Sequence, residues 1–231
     1  MFENYDTMIV FHLFNLPINV TIFSSWIVMA VLMVFSFLAT RFLSDDIQTS
    51  RWQTLMEMVV VWLRKEIKDT SNDNPAKYLG LGIGLFMFIL VSNFLTIFPW
   101  FQPPTASLST TIAFALVVFC AIPYHAIQNA GVLGYLKKFI DPSPIMLPMN
   151  LFSEFASTFS MALRLYGNML SGVMFASILT SFVPLLLPLS MQVLGLLTGS
   201  IQAYIFALLA IVYMSNVGPT TPYVEEESPT Y

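Results

Sequence analysis

Apolar residues run in long blocks along this chain, and the charged residues are confined to the stretches between the blocks. Three blocks contain no Asp, Glu, Lys or Arg, namely residues 7–40, 78–136 and 165–224. A helix needs about 20 apolar residues to cross a bilayer, so blocks of this length predict membrane spans. We place three spans and two longer helices at 20–41, 77–98, 107–127, 149–183 and 189–216.

The last two predicted helices are too long to stand upright in a bilayer. At about 1.5 Å per residue, 149–183 would reach about 52 Å and 189–216 about 42 Å, against a hydrocarbon core of about 30 Å. Pro184 and Pro188 separate the two helices, because proline lacks a backbone donor and interrupts a helix. We therefore expect a hairpin of two long, strongly tilted helices.

The segment 45–70 has apolar residues at helical spacing, and its charged residues lie largely on the other faces. The apolar positions are Trp52, Leu55, Met56, Val59, Leu63 and Ile67. Such an amphipathic helix lies on the membrane surface, with its cations near the headgroups. A short additional span is the alternative, and the charges of Glu57 and Arg64 disfavour it. We expect residues 1–19 to form an external lead and 217–231 an acidic tail.

The composition agrees with a membrane protein. Of 231 residues, 57% are hydrophobic and 10% are charged, whereas a soluble domain has about 25% charged residues. The predicted fold class is an all-α polytopic membrane protein with about five transmembrane helices and one interfacial helix. The single cysteine, Cys120, excludes an internal disulfide. With no zinc-ligand spacing, phosphate loop or nucleophile motif, we expect no catalytic residue, no metal or bound cofactor, and no nucleic-acid partner.

The cationic residues predict the orientation of the chain. Eight of them fall in the two loops that alternate spans place on one side, and they are Arg41, Arg51, Arg64, Lys65, Lys68, Lys77, Lys137 and Lys138. The turn between the second and third spans has none. Loops rich in Lys and Arg stay in the cytoplasm. The N-terminus is therefore expected outside the membrane, and the C-terminal tail inside the cytoplasm.

One cation, Arg164, lies deep within an apolar run. If 150–175 is a helix, polar residues recur every three or four positions and share one face with it, namely Ser153, Ser157, Ser160, Asn168 and Ser171. A charged side chain at the bilayer centre costs between about 2.5 and 17 kcal/mol, and an arginine cannot lose its charge. Arg164 is therefore the leading candidate for a functional residue.

A carboxylate of the same chain could neutralise Arg164, but Glu154 is the only candidate within a span. Ten residues of helix separate the two by about 15 Å, which favours a carboxylate of another subunit or a water-filled cavity. On the last helix, Gly195, Gly199 and Gln202 share a face with Thr198 beside them and Tyr213 three turns on. That helix would pack near the arginine helix and bring Gln202 towards Arg164, or the glycines serve ordinary helix packing.

Three segments resemble a known family. Residues 162–169, Ala-Leu-Arg-Leu-Tyr-Gly-Asn-Met, are similar to a signature of the subunit a family of rotary F-type ATP synthases, and residues 200–206 and 93–99 resemble its two other characteristic segments. The resemblance implies that Arg164 is a stator arginine facing a rotating ring of c subunits. It implies that Asn168 and Gln202 support the arginine and that Glu154 lies near the cytoplasmic access path. Secondary transporter and membrane scaffold are the alternative functions.

The resemblance also implies partners and a location. They are the c-subunit ring, the b subunits of the peripheral stalk, the F1 sector indirectly and membrane lipid. The place is a bacterial inner membrane, where the chain conducts ions and is not catalytic alone. The chain departs from the family pattern at Val173 and Gly195, where many relatives carry ionisable residues. The residues expected to line the ion path are Ser107, Ser109, Ser157, Ser160, Ser171, Thr198 and Tyr213, and the transported ion is H+ or Na+.

Overall fold

Five long helices form the bundle. The computed structural model describes residues 9–13, 16–41, 76–98, 101–140, 146–182 and 186–215, and six positions between 58 and 68. The helices are α1 (Val20–Arg41), α2 (Ala76–Leu95), α3 (Leu108–Ile140), α4 (Met146–Phe182) and α5 (Leu186–Ser215). All five are long and apolar enough to cross a membrane. The prediction of an all-α polytopic membrane protein is confirmed.

The helix ends differ in part from the predicted spans. Helix α3 continues to Ile140, past a break at Gly131, whose φ of 71° is in the left-handed region that glycine adopts without steric cost. Pro188, which we expected to separate the two long helices, is the third residue of α5, and Pro148 is likewise the third residue of α4. The first turn tolerates proline there, because its backbone N–H groups have no partner within the helix.

The N-terminal lead contains a small sheet that the sequence analysis did not predict. Strand β1 (Ile9–Leu13) pairs antiparallel with strand β2 (Leu16–Asn19), which runs directly into α1. Residues 1–8 lie outside the described part of the chain, as do 216–231, which include the predicted acidic tail. Of the predicted interfacial helix, the six described positions are helical, and Trp62 among them contacts Tyr204 of α5, with ring centroids 4.7 Å apart.

The core of the bundle lies where α2, α3, α4 and α5 meet. Helix α2 packs along α5, α3 along α4, and α4 along α5, whereas α1 lies at the edge against α2. The inner face of α5 presents small residues one turn apart, Gly199, Ala203, Ala207 and Ala210, all buried. Small residues let helix backbones approach closely in a membrane. Larger side chains fill the rest of the core, including Tyr78, Ile89, Met161, Leu165 and Phe206.

The last part of the connection between α2 and α3 is buried, although the sequence suggested only a turn that breaks the chain. A short 3-10 helix (Pro104–Ala106) lies in this connection, and residues 103–107 are all buried. It contacts α1, α2, α3 and α4. Pro104 and the preceding Pro103 have no backbone N–H to satisfy, which makes this segment compatible with burial. The connection is therefore part of the core at the end of the bundle predicted to be external.

Candidate functional site

Arg164 is the middle residue of α4. The helix runs for 37 residues, from Met146 to Phe182, and Arg164 lies 18 residues from each end. Each half of the helix is about 27 Å long, too far for a side chain to reach either end of the helix. The α4 backbone at this point is regular helix, so the position of the guanidinium follows from the helix alone.

The two faces of α4 differ at this level. Leu165, the next residue, is fully buried, as are Met161 and Ala162 on the inner face. Arg164 itself is exposed, and the neighbouring Leu163 is 45% exposed. Because successive residues of a helix point about 100° apart, burying Leu165 in the core turns Arg164 to the outer surface of the bundle. The charge therefore lies on a surface that nothing in the chain's described residues covers.

The predicted polar stripe is present on α4 and surrounds Arg164. Ser153 and Ser160 are exposed, whereas Ser157, Asn168 and Ser171 are half-buried. The hydroxyl of Ser171 donates to the backbone oxygen of Asn168 at 3.0 Å. The stripe is flanked by exposed aromatic rings, including Phe155 and Phe159, which stack with centroids 6.2 Å apart. The outer face thus combines one cation and small polar groups with a large apolar surface.

Glu154 does not neutralise Arg164. It is half-buried on the same helix, and ten residues of helix place it about 15 Å away along the axis. The backbone oxygen of Glu154 accepts a hydrogen bond from Thr158 at 3.0 Å. Glu154 is also the only Asp or Glu within the ranges that the structure describes. No described carboxylate of this chain is therefore within reach of the guanidinium.

Gln202 is a buried residue of α5, in contrast to the exposed Arg164 of α4. It is 7% exposed and lies on the inner face of α5, one turn from Gly199. Both Gln202 and Arg164 are described, and no hydrogen bond joins them. A Cβ at Gly199 would collide with the side-chain amide of Asn93 on α2, whereas a Cβ at Gly195 meets nothing within 4 Å. Helix α5 packs along both α2 and α4, and the nearest side chain to Gly199 belongs to α2.

The other residues predicted to line an ion path lie in different surroundings. Ser107 is buried and Ser109 is exposed, both beside the first turn of α3. Thr198 donates to carbonyl oxygens of its own helix, at 3.1 Å to Leu194 and 3.2 Å to Gly195. Tyr213 is half-buried and packs against the core. The α4 members of the predicted set follow one another along a single helix, and the other members belong to α3, to α5 and to the residue before α3.

Buried hydroxyls lie near the connection of α2 and α3, and of these sequence reasoning identified only Ser107. We call Ser92, Thr105, Ser107 and Thr111 the hydroxyl cluster, and all four are buried. The oxygens of Ser92 and Thr105 lie 3.4 Å apart, and Thr111 donates to the carbonyl oxygen of Leu108 at 3.0 Å. Only the packing of the 3-10 helix brings Thr105 to Ser92. Spacing along the chain gave no signal for this contact.

The comparisons with known proteins decide the family. The family model described as ATP synthase A chain matches residues 22–215. This range includes Arg164 and all the residues described around it. The chain belongs to this family. ATP synthase subunit a 2 of Acaryochloris marina (strain MBIC 11017) is 48% identical over 198 residues, which cover 86% of this chain and 85% of that protein. The resemblance found in the three sequence segments is thus confirmed over most of the chain.

Two further relatives extend this comparison. ATP synthase subunit a 1 of Chlorobaculum parvum (strain DSM 263 / NCIMB 8327) is 47% identical over 200 residues, covering 87% of this chain and 88% of that protein. ATP synthase subunit a of Albidiferax ferrireducens (strain ATCC BAA-621 / DSM 15236 / T118) is 46% identical, covering 87% of each chain. As a member of the ATP synthase A chain family with five apolar helices, the chain is an integral multi-pass membrane protein.

Proposed function

We propose that the chain is the ion-translocating stator subunit of the Fo sector of an F-type ATP synthase. In this role the outer face of α4 meets a rotating ring of c subunits, and Arg164 faces a carboxylate on each c subunit in turn. The chain is not catalytic alone. It provides two half-channels that couple the flow of H+ or Na+ to ATP synthesis or hydrolysis, and it needs no bound cofactor.

The observation that carries this proposal is the exposure of Arg164 at the middle of a 37-residue apolar helix. A charge in hydrocarbon is tolerated when it has a partner or a water-filled cavity. The one described acidic residue, Glu154, is about 15 Å away along the helix. A carboxylate on another polypeptide supplies the missing charge, and the flanking apolar face of α4 supplies a surface on which that polypeptide packs.

The mechanism follows from the permanent charge of the guanidinium. A rotor carboxylate that carries an ion is neutral and crosses the lipid at low cost. When it approaches Arg164, the guanidinium stabilises the ionised carboxylate, which releases its ion into the second half-channel. The same charge repels cations and so prevents a direct leak between the half-channels. Each unit charge that crosses yields about 2.3 kcal/mol per 100 mV, so several ions must cross for each ATP.

The two half-channels have different chemistry in this proposal. On the cytoplasmic side, Glu154 and the serines of the α4 stripe line the access path. On the external side, the hydroxyl cluster and Ser109 lie where a path from the surface would begin. Val173 and Gly195 place no titratable group on this side, so ordered waters and hydroxyls carry the ion. Asn168 lies one turn beyond Arg164 and supports the guanidinium, and Gln202, Thr198 and Tyr213 line the α5 side.

The location and the further partners follow from the same role. The chain lies in a bacterial inner membrane, with its N-terminus outside and its C-terminus in the cytoplasm, as the distribution of Lys and Arg favours. The b subunits of the peripheral stalk hold it against rotation, and through them it connects indirectly to the F1 sector. Membrane lipid covers the remaining apolar surface, including the exposed residues of α1.

The substitution Arg164→Ala tests the proposed role. ATP-driven ion uptake is measured in membrane vesicles that contain the assembled complex, and the amount of inserted subunit is measured by immunoblot. We expect uptake to fall to background with insertion unchanged. The matched control is Leu163→Ala, which shortens the neighbouring exposed side chain without removing a charge. Full uptake in Arg164→Ala would exclude the stator role and favour a membrane scaffold.

The identity of the ion is tested separately. ATP-driven uptake is compared with and without Na+ at fixed pH, in vesicles that contain the unmodified complex. If the ion is Na+, ATP-driven ion uptake requires Na+ and continues in the presence of a protonophore. If the ion is H+, activity is complete in Na+-free buffer, and the protonophore abolishes the gradient. The hydroxyl-rich external side, which has no titratable side chain at Val173 or Gly195, is compatible with either ion.

A further inference from the structure

A buried amide joins α2 to α5 next to the second family segment. Asn93 is 2% exposed, and its Nδ2 donates to the backbone oxygen of Leu196 at 3.0 Å. A Cβ at Gly199 would collide with the Nδ2, Oδ1 and Cγ atoms of Asn93. The amide therefore lies directly on the backbone of α5, and among the standard residues only glycine at 199 leaves room for it at this depth.

A second amide connects the same helices in the opposite direction. The Nε2 of Gln192 donates to the backbone oxygens of Thr96 at 2.8 Å and Ile97 at 3.2 Å. These carbonyls follow the end of α2, where the helix supplies no donors for them. Gln192 lies one turn before Leu196 on α5. Each helix thus supplies one side-chain amide to the backbone of the opposite segment, and together the three hydrogen bonds resist both sliding and rotation.

The α2–α5 contact continues in register towards the other end of the helices. An ideal Cβ at Gly82 would lie 2.6 Å from Cδ1 and 3.0 Å from Cγ1 of Ile211. From Asn93 to Gly82 the chain moves 11 positions along α2, and from Gly199 to Ile211 it moves 12 along α5, in the antiparallel sense. The helices are therefore close along most of α2, and the amide pair fixes one end of a long interface.

We propose that Asn93 is a positioning residue that sets the rotation of α5 about its axis. Through Gly199 and Leu196 it places Gln202, which lies three residues after Gly199 on the same face. A shift of one residue along a helix turns a side chain by about 100°, so a change at the amide moves Gln202 out of its place. The functional part of this inference rests on the proposed stator role. The geometric part does not.

Two glycines of the α2–α5 helix pair provide a matched test. In the assembled complex, Gly199→Ala puts a methyl group into the Asn93 amide, whereas Gly84→Ala, on α2, meets nothing within 4 Å. A displacement of about 1 Å at a functional group can lower a rate by as much as about a hundredfold. We expect ATP-driven uptake to fall by about tenfold or more in Gly199→Ala and to stay at the wild-type level in Gly84→Ala.

A disulfide between Gly82→Cys and Ile211→Cys, in a Cys120→Ser background, reports the position of α5 directly. Its yield should fall in Gly199→Ala and rise again, to the level of Asn93→Ala alone, in the double variant Asn93→Ala/Gly199→Ala, because the smaller residue removes the clash but not the need for the amide. Uptake should recover in parallel, relative to Gly199→Ala. A wild-type yield in Gly199→Ala, or a double variant no better than Gly199→Ala, would overturn the proposal. So would a lowered yield with unchanged uptake.

Two additional variants keep the outcomes distinct. If Gly199→Ala prevents insertion, Asn93→Ala alone serves, because it removes the amide without a clash. It should lower both the yield and the uptake, and wild-type values of both would overturn the proposal. Arg164→Ala in the cysteine background should abolish uptake and leave the disulfide yield unchanged. If it leaves uptake intact, the stator role fails, while the disulfide comparison still decides the position of α5.

Discussion

The α2–α5 interface and the outer face of α4 both place polar groups within apolar helices, but only the first provides their partners. At the interface, the Asn93 and Gln192 amides donate to carbonyl oxygens of the opposite helix. On the outer face, Arg164 carries a full charge and reaches no carboxylate in the described chain. The first surface is complete within one polypeptide. In the proposed role, the second becomes complete when another molecule packs against it.

The two surfaces also differ in the free-energy cost of leaving their polar groups without a partner. An unsatisfied buried amide costs about 1–3 kcal/mol, which one hydrogen bond to a backbone oxygen removes. An uncompensated charge at the bilayer centre costs between about 2.5 and 17 kcal/mol, and no rearrangement of neutral side chains offsets the upper part of that range. Neutral polar groups therefore serve to fix one helix against another, whereas the charge indicates contact with a partner of opposite sign.

The largest effect is expected from Arg164→Lys, which keeps a positive charge on the α4 face. Lysine is a point charge that loses its proton when it is desolvated, whereas the guanidinium stays charged and donates through a rigid fork. We expect ATP-driven uptake to fall by about tenfold or more, which corresponds to about 1.4 kcal/mol in the barrier. Wild-type uptake in the lysine variant would show that charge alone is sufficient at this face.

A smaller effect, on stability, is expected at the α2–α5 interface. Gly82→Leu forces a side chain into Ile211, whereas Gly84→Leu, on the same helix, meets nothing within 4 Å of its Cβ. Overpacking of this kind costs about 1–3 kcal/mol. The midpoint temperature of thermal unfolding of the purified complex should therefore be lower for Gly82→Leu than for Gly84→Leu. Equal transitions would mean that the two helices are not in close contact at Gly82.

The smallest effect is expected in the hydroxyl cluster. Ser92→Ala removes one member of a buried pair whose oxygens are 3.4 Å apart. The Thr105 hydroxyl then loses its hydrogen-bond partner in this pair. We expect the free energy of unfolding to fall by about 1 kcal/mol in each single variant. In the double variant Ser92→Ala/Thr105→Val it should be close to the wild-type value. A denaturation double-mutant cycle measures the coupling. Strictly additive losses would show that the hydroxyls do not interact.

Part of this architecture could be predicted from the sequence. The five apolar helices and the polar stripe around Arg164 follow from local patterns, since a block of uncharged residues or a period of three to four positions is visible within one segment. That Arg164 lies at the middle of α4 follows from the same block. These features depend only on the residues of one helix, so no knowledge of its neighbours was needed.

The contacts between helices could not be predicted in the same way. Asn93 and Leu196 are 103 residues apart in the chain, and the sequence around either residue does not indicate that the other is its partner. The glycine spacing indicated a close contact at Gly199, but it could not identify Asn93 of α2 as the nearest side chain there. The buried 3-10 helix was missed for a similar reason, because its burial depends on four helices that surround it.

Photo-cross-linking from the outer face of α4 tests the central claim most directly. Benzoylphenylalanine replaces Phe159, which is 44% exposed near Arg164, and in a control it replaces Phe206, which is 1% exposed in the core. In the intact complex, we predict that position 159 links to a second polypeptide whose linked peptide contains an Asp or Glu within an apolar segment, and that position 206 links only within the chain. Links from position 159 to lipid or to the same chain alone would contradict the account.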